Sequence, residues 1–124
     1  MKTKWMAGFL LSLLIAAPAI ASEQVLPLTS TLKITIVEND AFEQFTYYNP
    51  KHFAYMKNHR KYTGAQAETA MYNLLAKLNL SENASIEELV HQLQKYGFSD
   101  LTRVEIRWLK ENHQLHTWVW DAED

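Results

Sequence analysis

The hydrophobic period of the chain switches twice, and this restricts the fold more than any other feature. Leu32, Ile34 and Ile36 alternate with Lys33, Thr35 and Val37, the period-two pattern of a strand with one buried face. Val104, Ile106 and Trp108 repeat it against Arg103, Glu105 and Arg107. Between these runs, Ala67, Ala70, Met71, Leu74, Leu75 and Leu78 recur at three and four, as on the apolar face of a helix. Strands grouped at both ends of a helical middle predict an α+β domain, an antiparallel sheet with helices on one face.

Local signals fill in the order. Asn39-Asp40 supply turn chemistry, and Phe42, Phe45, Tyr47 and Tyr48 predict a second strand closed by Pro50, which cannot donate to a ladder. Phe53 and Tyr55 suggest a short third strand, followed by a basic loop over Lys57–Tyr62. The second helix is signed at both ends. Ser85 with Glu88 forms a capping box, and Gly97 followed by Phe98 marks a left-handed C-cap with its apolar clasp. Lys110 to Gln114 carry the last turn, and "LHTWVW" closes the sheet. The expected order is β-β-(β)-α-α-β-β, four to five strands and two helices over residues 32–121.

The first 21 residues are expected to be a signal peptide. Lys2 and Lys4 precede an apolar run from Trp5 to Ala17, and Ala19-Ile20-Ala21 offers a cleavage pattern. The run falls short of the roughly 20 residues of a bilayer span, and no cysteine follows it to carry a lipid anchor. Cleavage would leave 103 of 124 residues, with residues 22–31 as a flexible lead-in and 10 basic residues against 14 acidic ones. That balance argues against general binding to nucleic acid or to an anionic membrane. An exported domain without cysteine, standing on its core alone, suits a bacterial envelope, so the expected location is periplasmic or secreted.

The segments "LLAKLNL", "SIEELVHQLQKYGF" and "VEIRWLKENHQLHTW" resemble the YusW-like proteins, small exported bacterial proteins of uncharacterised function. The likeness spans most of residues 32–120. It implies export and an α+β fold, and it brings no active site with it.

Motifs for catalysis or a cofactor do not emerge from the residues: there is no nucleophile elbow, P-loop, dinucleotide fingerprint or HExxH. The expectation is a non-catalytic domain without cofactor that binds a protein, a peptide or an envelope polymer. Arg103 and Arg107 share the polar face of their strand, which makes them candidate ligand contacts beside Trp108, Trp118 and Trp120. Two assignments stand for the tryptophans: an aromatic patch on the open sheet face, or the core layer under the helices. His113 and His116 flank the last turn and form the competing hypothesis, a metal site, since imidazole suits Zn²⁺ and Cu²⁺. The basic run Lys57–Tyr62 is either a solvated loop or an edge contact for an acidic polymer.

Overall fold

The computed structural model describes residues 25–122; the expected signal peptide lies outside them. A short 3-10 turn, Leu26–Leu28, leads into β1 (Thr29–Glu38), β2 (Ala41–Tyr48), β3 (His52–Lys57) and β4 (Arg60–Thr63). Two helices follow, α1 (Gly64–Lys77) and α2 (Ile86–Lys95), then β5 (Leu101–Lys110) and β6 (Leu115–Asp121). The α+β class holds, but the sheet has six antiparallel strands rather than four or five, in the order β4-β3-β2-β1-β5-β6. The additional strand is β4, formed by residues expected to be loop. Asn58 adopts a left-handed φ of 56° at the β3–β4 turn, and its side chain accepts from the Phe42 amide at 2.9 Å. The returning strand then stacks Tyr62 on Tyr55, with ring centroids 5.7 Å apart. A charged four-residue edge of this kind resists pairing with another chain.

Alternation settles which face of the central strands is buried. Leu32, Ile34, Ile36, Val104 and Ile106 are at most 1 % exposed, and they meet Phe45 and Tyr47 from β2 in register. Helix α1 lays Ala67, Met71, Leu74 and Leu75 on this face over β2 to β4, while α2 contributes Leu89, Val90 and Leu93 beside β6. The α2 caps act locally. Ser85 Oγ accepts from the Glu88 amide at 3.2 Å, and its hydroxyl donates to the Glu88 carboxylate at 3.0 Å. The expected return bond to the Ser85 backbone is thus replaced by a side-chain one. At the other end Gly97 turns with φ 124°, which lets the Phe98 amide reach Leu93 O at 3.0 Å, the six-to-one bond of a Schellman cap.

Residues 25–31 are not a flexible lead-in. Val25 and Leu26 are buried in the core, and the strand starts at Thr29 instead of Leu32. Thr29 Oγ1 donates to Val25 O at 2.6 Å and accepts from Trp108 Nε1 at 2.7 Å. Buried polar groups must find partners, and here one hydroxyl serves both a carbonyl and an indole. The N-terminal turn is thereby tied to β5.

Candidate functional site: the uncovered sheet face

Both helices cover one face, so the side chains alternating outward from each strand form a second face that no element covers among the described residues. Ladder register arranges them in rows across the strands. One row holds Tyr48, Thr31, Leu109 and Leu115; the next holds Thr46, Lys33, Arg107 and Thr117. Beyond them lie Gln44, Thr35, Glu105 and Val119, then Phe42, Val37, Arg103 and Asp121. Tyr48, Leu115 and Val119 are 49 %, 52 % and 45 % exposed on this face. Two shallow hollows run along this face. One of about 290 Å³ is lined by Thr31, Lys33, Tyr48, Arg107, Leu109 and Leu115. Its neighbour of about 200 Å³ continues through Lys33 and Tyr48 to Met56 and Lys61.

The charges on this face are unevenly satisfied. Arg103 Nη1 donates to both Asp121 oxygens, at 2.8 and 2.7 Å. Those bonds raise the arginine above its ordinary range, with Glu105 adding a smaller attraction. Lys33 and Arg107 are different: they stand directly opposite each other on β1 and β5, and among the described residues neither joins an ion pair. Like charges in direct cross-strand register destabilise a sheet. Lys61, on the same face of β4, is also without an ion-pair partner among the described residues.

The sequence-based candidates divide between the two faces. Arg103 and Arg107 lie outward as expected. Trp108, Trp118 and Trp120 face the helices, because Trp108 pairs with Leu32, Trp118 with Ile106 and Trp120 with Val104. Trp108 and Trp118 are 4 % and 8 % exposed, and Trp120 packs against the core from its edge. Trp118 Nε1 also donates to Ala84 O at 2.9 Å, fastening the segment between the helices to β6. The open-face aromatic patch is therefore corrected: the aromatics on that face are Phe42 and Tyr48, at opposite ends of β2, and the tryptophans belong to the covered side.

His113 and His116 serve separate purposes. His113 sits in the β5–β6 turn with φ 71°, the left-handed geometry such turns require. His116 points to the covered side, 5.7 Å from the Trp108 ring and 6.1 Å from Trp118 by centroid. Its Nε2 is buried and lies 3.2 Å from Glu82 Oε1, near enough for an ion pair but not aligned as a hydrogen bond. Lys110 reaches the same oxygen at 3.1 Å. Lys110 is the larger cause, and His116 the smaller, of a Glu82 carboxyl held below its ordinary range. Among the described residues no three His, Asp or Glu side chains converge as metal ligands, so the metal hypothesis gains no ligand set from the fold.

Lys33, Tyr48 and Leu115 are the site residues that sequence reasoning missed. Alternation already placed Lys33 outward, but its juxtaposition with Arg107 depends on β1 pairing with β5, which no local signal announces. Comparison with protein-family models, with curated proteins and with solved structures found no match.

Proposed function

We propose that the protein is an exported, non-catalytic binding domain of the YusW-like kind, and that its working surface is the uncovered sheet face. One observation carries the proposal: the outward row Thr46–Lys33–Arg107–Thr117 places two cations side by side, neither in an ion pair among the described residues, next to a row that exposes Tyr48 and Leu115. A sheet keeps a like-charge pair at its centre at a cost, and a ligand that neutralises the pair recovers it. Cations and apolar groups of this kind hold a partner without moving a proton, which supports binding over catalysis. The export signal and the resemblance to YusW-like proteins favour a partner in the cell envelope.

Lysine footprinting tests the proposal, because lysines occur on both surfaces. Lys33 and Lys61 lie on the open face, whereas Lys77 and Lys95 are exposed on the helices. Reductive methylation of intact producing cells, compared with the purified protein, should show Lys33 and Lys61 protected in the cell and Lys77 and Lys95 equally reactive in both. Protection confined to the helix lysines would place the working surface on the other side.

A further inference from the structure

Resting on the open-face reading, we propose that Lys33 and Arg107 form the receptor for one carboxylate of an extended, acidic protein segment, with the apolar row beside them receiving the side chain two residues away. The dyad sets the charge. Its two cations are direct cross-strand neighbours with no ion-pair partner among the described residues, so one carboxylate can bridge them, and a guanidinium is suited to bind it through two parallel bonds. The hollow sets the company that the carboxylate keeps. Thr31 and Leu109 face each other one outward step along the strands from Lys33 and Arg107, and Tyr48 and Leu115 flank them at either end of that row.

Spacing then selects the ligand. Outward residues on one strand repeat every second position, about 6.6 Å apart. An extended peptide lying along β1 and β5 presents its own alternate side chains at that same interval. An acidic residue over the dyad therefore brings the residue two positions away over Thr31 and Leu109, in a hollow of about 290 Å³. An acidic residue and an apolar one at i and i+2 is the motif that fits. A nucleic acid or an anionic membrane presents many charges over a broad surface, for which this chain of net charge −2 is poorly suited. A protein segment needs only one carboxylate here.

The test is amide-shift titration of the ¹⁵N-labelled protein with the acetylated, amidated peptide Ser-Glu-Ser-Leu-Ser. Its counterpart Ser-Gln-Ser-Leu-Ser, free acetate and phosphatidylglycerol vesicles are titrated in parallel. Shifts should centre on Lys33, Arg107 and Leu109. Binding should weaken about tenfold with the glutamine peptide, the effect of losing one charge-assisted bond. K33Q and R107Q should each weaken the glutamate peptide similarly, and K95Q, on the exposed side of α2, should leave it within about twofold. Both dyad side chains are on the surface, and each variant should melt no lower than the wild type, because a like-charge contact is removed; that excludes misfolding as the cause of lost binding. Equal binding of the two peptides at the same residues overturns the carboxylate receptor while leaving the open-face reading in place. Acetate binding as tightly as the peptide, or preference for vesicles, overturns the peptide ligand in favour of a simple anion or a lipid surface. Shifts confined to the helices overturn both readings, and the absence of shifts from every probe overturns the receptor.

Discussion

Replacing Thr29 with valine keeps the branched shape and removes only the hydroxyl, which isolates the contact that ties the N-terminal turn to the sheet. Thr29 is 1 % exposed. Without its oxygen, Val25 O loses a donor at 2.6 Å and Trp108 Nε1 loses an acceptor at 2.7 Å. A buried polar group left unpaired costs about 1–3 kcal/mol, or about 2–6 kcal/mol for two, and relief of the hydroxyl's own desolvation brings the net loss to about 2–4 kcal/mol. For a domain of about 100 residues, unfolding entropy near 0.2 kcal/mol/K converts this to a melting temperature lower by about 10–20 °C. The variant should still fold, since domains of this size hold about 5–15 kcal/mol. Urea unfolding followed by tryptophan fluorescence reads the loss as a midpoint about 1–2 M lower at unchanged slope. Thr29→Ser restores the oxygen at the expense of one methyl, and should recover all but about 1 kcal/mol. A loss below about 0.5 kcal/mol for valine, or equal losses for valine and serine, would refute the buried hydroxyl and return residues 25–31 to a loosely held lead-in.

Three further outcomes follow from named contacts. Lys33→Gln should raise stability by about 0.2–1 kcal/mol by relieving the like-charge pair, measured by the same urea titration; destabilisation would mean that Lys33 has a stabilising partner in the free protein. Glu82 is held below its ordinary range mainly by Lys110 and secondarily by His116. A lowered carboxyl stabilises the fold above its unfolded value and loses that contribution as pH falls through the folded one. The melting-temperature advantage of wild type over Glu82→Gln should therefore shrink as pH is lowered through the carboxylate range, and a constant difference would contradict the contact. Ser85→Ala removes the α2 cap and should cost about 1 kcal/mol, with Ser85→Thr retaining most of the stability.

How much of this could be read from sequence depends on whether the determining contacts are local. Helix α2 was fully legible because Ser85, Glu88, Gly97 and Phe98 specify its ends within the segment itself. The buried faces of β1 and β5 were legible because only one alternating set in each is strongly apolar. In β6 that logic fails: Trp118 and Trp120 alternate with Leu115 and Val119, so both sets are apolar, and the choice falls to the pairing of Trp118 with Ile106. Strand β4 reads as a basic loop because Arg60 and Lys61 mask the one inward aromatic, Tyr62, whose partner Tyr55 appears only once the hairpin closes. The polar start of β1 conceals Thr29 for a related reason. Its burial is set by the indole of Trp108, far along the chain. The Lys33–Arg107 dyad was invisible on the same ground, since each residue alone is an ordinary outward cation.

Site-specific photo-cross-linking in the producing cell tests the working surface most directly. A benzophenone side chain placed at Tyr48 or Thr117 reports on the open face, and one at Tyr72 or Glu87 reports on the exposed side of the helices. The expected result is a discrete partner adduct from both sheet positions, lost when Lys33→Gln and Arg107→Gln are introduced together, and none from the helix positions. Adducts arising from Tyr72 or Glu87 while Tyr48 and Thr117 stay free would contradict the open sheet face as the binding surface.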